Sequence, residues 1–210
     1  PSYYYGHTRS EMIEFIPPQS STILEVGCGQ GSFAKVIKQK LDAEYWGVEL
    51  SDVAAKKAQQ SLDKVLIGNI TEHYDDLPDG FFDCIVFNDV LEHMLEPFVA
   101  LENLKTKLTP QGRLVISIPN VRYIKNLYHV LVQKDWHYQN EGILDRTHLR
   151  FFTKRSMNRS LGQNNWQVET CKGIMPTKFK LLVDVLNLCC LGMLEDTKYM
   201  NYAFICSVIK

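Results

Sequence analysis

The chain has 210 residues, 45% of them hydrophobic, with 23 lysines and arginines against 24 acids and a formal net charge of -1. That length suits one domain over residues 1–210, with ample material for a buried core and a small inserted cap. The near-neutral charge argues against bulk nucleic-acid binding, and no apolar run reaches the length that spans a bilayer.

Tyr3, Tyr4, Tyr5, His7 and Arg9 come first, and residues 10–15 predict a short helix stopped by Pro17 and Pro18. Residues 1–18 read either as a frayed end or as a lid. Ile23 to Val26 is a short apolar strand. Gly27, Cys28, Gly29, Gln30 and Gly31 follow as a glycine-rich turn, and Phe33, Val36, Ile37 and Leu41 then recur at helical spacing. Glycines at alternate positions let the chain turn sharply and let a ligand approach bare main chain. The helix start offers unpaired N–H groups to an anion. This is a nucleotide or carboxylate cradle, and a dinucleotide is one candidate occupant.

Residues 45–50 form a second strand that ends in Glu49, whose carboxylate can accept from both hydroxyls of a ribose. A helix over 54–62 and a third strand over 64–70 follow. The fourth strand, 82–88, leads into Asp89-Val90-Leu91-Glu92-His93. Phe98, Leu101, Leu104 and Leu108 mark one face of an amphipathic helix over 97–108. Residues 109–112 turn the chain into a fifth strand over 113–120. Strand and helix in alternation predict a parallel sheet with helices on both faces. A helix over 121–133, a polar and aromatic stretch to 142, and the run Asp145-Arg146-Thr147-His148-Leu149-Arg150-Phe151-Phe152 make an insert over 121–152. Thr153 is a good N-cap for a helix through Leu161. Residues 166–171 and 202–209 read as the last two strands. The apolar stretch 178–194 between them is expected to pack on the sheet, with a homodimer face or a membrane-surface contact as alternatives. The six cysteines show no CxxC pair and no metal-ligand spacing with histidine. We therefore expect no metal, no disulfide framework and a reducing, cytoplasmic setting.

Leu24-Glu25-Val26-Gly27-Cys28-Gly29-Gln30-Gly31 resembles motif I of the class I methyltransferases that use S-adenosylmethionine (SAM). Leu91-Glu92-His93, the Thr109-Pro110-Gln111-Gly112 turn and the strand ending in Pro119-Asn120 match the same pattern. A nicotinamide enzyme has no reason to carry them together. The Asp145 to Thr153 run is similar to a signature of bacterial methyltransferases related to those of ubiquinone biosynthesis. Many of those are encoded with glycan or lipopolysaccharide assembly enzymes. The resemblance implies an α/β, Rossmann-like, seven-stranded, mostly parallel sheet of order 3-2-1-4-5-7-6, with the last strand antiparallel.

It also implies site residues. Glu25, Gly27, Cys28, Gly29 and Gly31 would form the SAM cradle and Glu49 would hold the ribose. Leu50 and Ile70 would flank the purine, unless they are plain core. Asn69 stands where the family commonly has Asp beside the adenine amino group. The Asn88 carbonyl would take the methionine ammonium, next to Asp89 and Val90, with Tyr5 and Arg9 of the lid near the methionine carboxylate. Oxygen methylation is aided by a general base. His148 is the first choice and His93 the second, with Asp145 orienting an imidazole as in a triad. Arg146 and Arg150 would bind an anionic acceptor, such as a sugar nucleotide or uronate, with Asn120 and Tyr123 beside them. The plainer alternatives are that His93 anchors its loop and that the 145–152 run is a polar network fastening the insert. The expected function is SAM-dependent methylation of a small acceptor, on a sugar or glycan hydroxyl. Nitrogen or carbon methylation, or a non-catalytic SAM-binding module acting through a partner, are the other readings.

Overall fold

The structure, a computed structural model, describes residues 8–209. Strand β1 (Thr22–Val26) is buried along Ile23, Leu24, Glu25 and Val26, as a central strand covered on both faces must be. It pairs in parallel with β2 (Glu44–Glu49) on one side and β4 (Phe82–Asn88) on the other. Beyond β2 lies β3 (Lys64–Ile67), and beyond β4 lies β5 (Leu108–Pro119). Strand β7 (Tyr199–Val208) runs antiparallel to both β5 and β6 (Trp166–Pro176). The sheet order is 3-2-1-4-5-7-6, as the resemblance implies.

Successive strand residues face opposite sides, so the sheet has two cores. Leu24, Ile85, Phe87 and Ile116 pack with Leu101 and Leu104 of α3 (Pro97–Leu104) and with Met157 and Leu161 of α5 (Lys154–Gln163). Ile23, Tyr45, Cys84, Val86 and Val115 pack with Phe33 and Ile37 of α1 (Ser32–Lys38) and with Met12 and Phe15. The Thr153 cap forms as expected: its Oγ1 accepts from the Ser156 amide at 3.0 Å, and Ser156 Oγ accepts from the Thr153 amide at 2.9 Å.

Several boundaries differ for local reasons. Residues 10–15 coil as a 3-10 helix. Helix α2 is Asp52–Ala58, started early by Ser51, whose hydroxyl accepts from the Ala54 amide. Strand β3 ends at Ile67 because Gly68 turns away and Asn69 caps a 3-10 turn over Ile70–Glu72. Helix α4 is Ile124–Leu131, shorter than 121–133, because Asn120 and Arg122 are held in a turn ahead of it.

The largest departure is α6 (Lys180–Cys189), expected to cover the sheet. Only Val183 of it is buried, while Leu181, Leu188 and the following Leu191 are 79%, 80% and 91% exposed. Strands β6 and β7 are antiparallel neighbours, so their link needs no crossover past a sheet face. The helix is an elaborated hairpin connection, tied back by a Lys198–Asp184 ion pair of 2.6 Å. Among the described residues no helix is long and apolar enough to cross a membrane.

Candidate active site

The glycine turn leaves β1 at the edge of a cleft of about 710 Å³. Val26, Gly27, Val48, Glu49 and Leu50 line one end, with Asn69 and Ile70 beside them. Val90, His93, Met94, Leu95 and Leu149 line the other. Gly27 has a φ of +75°, and a Cβ there would lie 2.5 Å from Val90 Cγ2. The bare main chain is therefore obligatory at the point where the two ends meet.

The turn's amides do not wait for an anion. The Gly27 and Cys28 amides donate to Val48 O at 2.8 and 3.2 Å, and Gly31 donates to Cys28 O at 2.9 Å. The Gly29 amide donates to Glu49 Oε2 at 2.8 Å, and Ser51 donates to Glu49 Oε1 at 2.9 Å. The amides of the glycine turn are thus spent within the fold, whereas the open N–H groups expected from the sequence are those at the start of α1, at Ser32. Glu49 is held rigidly by two charge-assisted bonds, with lone pairs left over for hydroxyl donors. The carboxyls of Glu25, Glu49 and Glu92 are all buried near this junction. A dinucleotide's diphosphate would meet the Glu49 carboxylate and the spent amides of the turn here.

Around the cleft, Glu25 accepts from Tyr45 Oη and from Asn88 Nδ2, each at 3.0 Å. Burial pushes its carboxyl up to about 7 despite those two bonds. Asn88 Oδ1 is buried with no partner among the described residues, an acceptor suited to an ammonium group. Asp89, at a φ of +54°, pairs with the Arg9 guanidinium and accepts from Ser117 Oγ at 2.6 Å and Asn201 Nδ2 at 3.0 Å. Burial opposes that charge, but Arg9 and these donors hold the carboxyl below the usual range.

Beyond Asp89 the loop carries Glu92 and His93. Glu92 is 1% exposed and neither carboxyl oxygen has a hydrogen-bond partner among the described residues, although its backbone carbonyl accepts from the Leu149 and Arg150 amides at 2.8 and 3.1 Å. Burial, reinforced by Asp89, pushes this carboxyl well above its ordinary value. Ligating-type atoms of Glu92, His93 and His148 all lie within 4.8 Å of one another. The His93 and His148 rings meet edge to face at 4.6 Å.

The predicted residues therefore divide. Gly27, Glu49, Leu50, Asn69, Ile70, Val90 and His93 are brought to the cleft. Glu25, Asn88, Asp89 and Arg9 form the buried network next to it. Arg9 is not a free cation there, since its guanidinium serves Asp89 and Ser117. Asn69 Oδ1 accepts from the Thr71 amide at 3.1 Å, leaving its NH2 and one lone pair for a purine. The Cys28 side chain faces the core, and a Cβ on Gly47 would lie 2.5 Å from its Sγ. Gly31 serves helix packing, with a Cβ there 2.7 Å from Leu62 Cδ1. Tyr5 lies outside the described residues.

In the insert the Asp145 carbonyl accepts from the His148 amide at 3.0 Å, but its carboxyl is turned to Thr147 and not to the His148 ring. Its Oδ1 accepts from the Thr147 amide at 2.7 Å and from Thr147 Oγ1 at 2.6 Å. His148 is buried, its Nδ1 3.0 Å from Ile143 O and its Nε2 3.9 Å from Glu92 Oε1. Asn120 is a fastener whose NH2 donates to Asp196 O and Tyr199 O at 2.8 and 3.1 Å. Tyr123 is buried at the start of α4. Arg146 is exposed, and Arg150 donates to Leu95 O at the cleft rim. Sequence reasoning passed over Thr147 and gave Glu92 no separate role. An acid beside a histidine after the fourth strand, and a threonine between Asp145 and His148, were the available signals.

Residues 3–170 match the model of the methyltransferase domain family, and the chain belongs to that family. It is 27% identical over 159 residues to the mitochondrial ubiquinone biosynthesis O-methyltransferase of Schizosaccharomyces pombe, covering 72% of this chain and 57% of that protein. It is 24% identical to the (S)-tetrahydroprotoberberine N-methyltransferase of Eschscholzia californica over 55% of this chain and 35% of that protein. The chain thus spans little more than half the length, or less, of these relatives. The crystal structure of a SAM-dependent methyltransferase from Archaeoglobus fulgidus superposes with a TM-score of 0.72 at 18% identity, covering 94% of this chain and 91% of that one. The fold is the Rossmann-like methyltransferase fold, and SAM is the expected cofactor.

Proposed function

We propose that this protein transfers a methyl group from SAM to a hydroxyl of a small acceptor, a sugar or glycan precursor. The observation that carries the reading is one continuous cleft, of a size usual for small-molecule sites, that joins the Glu49–Ile70 end to His93. Glu49 would hold the ribose, Ile70 and Leu50 the purine, and Asn88 Oδ1 the ammonium. SAM supplies an electrophilic methyl on a cationic sulfur. The chain's own residues orient the two reactants, exclude water and take up the acceptor's proton.

Nitrogen methylation is the second reading, and the N-methyltransferase relative motivates it. A neutral amine attacks without first losing a proton, so it makes less use of a buried imidazole cluster. An anionic acceptor is supported by the exposed Arg146 and by Arg150 at the rim.

Titration calorimetry with SAM and with NAD tests the donor. We expect binding of SAM alone, and no SAM binding would remove the proposal. Incubation with methyl-labelled SAM and a panel of sugar nucleotides, quinol precursors, glycans and amines tests the acceptor. Label appearing only on nitrogen would replace the oxygen reading.

A further inference from the structure

Resting on the reading that a hydroxyl is methylated, we propose that Asp145 and Thr147 form a hydrogen-bonded relay that sets His93, not His148, as the general base, with Nδ1 protonated and Nε2 the proton acceptor. The assignment follows from counting protons. Burial opposes the Asp145 charge, but the two bonds from Thr147 hold its carboxyl below the usual range, so it is an ionised acceptor. Thr147 Oγ1, 2.6 Å from Asp145 Oδ1, must give its one proton to that oxygen. Toward His93 Nδ1, 3.1 Å away, the same hydroxyl can then only accept. The Thr147 carbonyl, 3.3 Å from the same nitrogen, can likewise only accept. Both contacts require Nδ1–H. In a neutral imidazole the lone pair is then on Nε2.

Position separates the two histidines. His93 lines the cleft, while His148 lies behind it, with Nδ1 on Ile143 O and Nε2 toward Glu92. Among the described residues, the titratable groups around His93 include His148, Asp145, Asp89 and Glu92. Burial and then His148 lower its pKa, so the ring is neutral near pH 7, ready to accept a proton. In the reaction the acceptor oxygen bonds to the methyl carbon as the carbon–sulfur bond breaks. That electron pair stays on sulfur, and the hydroxyl proton passes to His93 Nε2. The imidazolium then donates through Nδ1–H to Thr147, with the Asp145 charge one bond further on. Thr147 and Asp145 are positioning residues.

The tautomer can be read without an acceptor. Long-range 1H–15N correlation spectra of 15N-labelled protein, with His93→Gln for assignment, report which ring nitrogen carries the proton. We expect Nδ1–H in the parent, a shift toward Nε2–H in Thr147→Val, and the parent pattern in Thr147→Ser. Nε2–H in the parent, or no change in Thr147→Val, would overturn the relay. Any hydroxyl acceptor found with labelled SAM gives a kinetic arm. Thr147→Val should lower kcat about tenfold or more while the KM for SAM moves less than about threefold. The acid limb of its pH–rate profile should move to lower pH, because an acceptor for Nδ1–H is gone, and Thr147→Ser should restore both. A merely structural threonine would leave that limb in place. Activity that requires an added divalent cation and vanishes with chelator would overturn the base assignment. Failure to bind SAM would remove the reaction and the base with it, while the spectra still decide the relay.

Discussion

The two ends of the cleft are built by different means. The end proposed to hold SAM is made of main chain: Gly27 pressed on Val90, amides spent on Val48 O and Glu49, and strand ends in fixed parallel register. The His93 end is made of side chains that titrate, with Glu92, His93, Asp145 and His148 drawn from two segments far apart in sequence. Geometry carried by backbone changes little from one acceptor to another, and suits a constant donor. Geometry carried by interlocked side chains can be retuned by single substitutions, and suits a variable acceptor.

Four substitutions test that division. The largest effect is expected at the acceptor end. His93→Ala should lower kcat about 100-fold or more, the usual range for a lost general base, while SAM affinity changes less than about threefold by calorimetry. An equal loss in SAM affinity would erase the boundary between the two ends.

Next comes the buried acid beside the glycine turn. Glu25 keeps its proton up to about pH 7 in the folded chain, whereas the unfolded chain releases it near the ordinary value of about 4.3. Over that window the folded state binds more protons, so stability falls as pH rises. Glu25→Gln mimics the protonated form and does not titrate. Its stability advantage over the parent should grow by on the order of 2–3 kcal/mol from pH 4 to pH 7 and then level off. Denaturant melts at a series of pH values measure it, and a flat difference would show that Glu25 ionises normally.

Glu49→Ala follows. It removes two charge-assisted bonds that brace the turn, as well as the ribose acceptor. SAM affinity should fall about 10- to 100-fold, with kcat at saturating SAM less affected. The smallest effect is expected at Asn69. Asn69→Asp keeps the cap on the Thr71 amide and an acceptor for an amino group, so SAM affinity should move less than about threefold. A loss as large as that for Glu49→Ala would mean that the Asn69 amide N–H, not its carbonyl, does the binding.

The glycine-turn end of the cleft was legible in the sequence because it comes from contiguous stretches: strand, glycine turn, and an acid at the next strand's end. The sheet order followed from the same alternation once the family resemblance was added. The acceptor end was only half legible. The 145–153 run stood out, yet its acid turned out to hold Thr147 rather than His148, a matter of rotamer and loop path that spacing does not encode. The Arg9–Asp89 pair joins residues 80 positions apart, which no local pattern predicts. Helix α6 misled because a run of leucines announces apolarity without saying what, if anything, covers it. Its apolar residues lie opposite Lys180, Asp184 and Asn187, yet only Val183 among them is buried.

The network around Asp89 also sets a schedule. Arg9, Asp89, Ser117 and Asn201 meet in one cluster, so its parts are distributed across nearly the whole length of the chain. Domains are synthesised from the N-terminus, and contacts between distant segments wait for the later one. The glycine turn and its acid are in hand before residue 50, but the loop that presents His93 is not locked until residue 201 has left the ribosome. A nascent chain halted short of β7 would carry the glycine turn and Glu49 and yet lack the Asn201 bonds that brace Asp89.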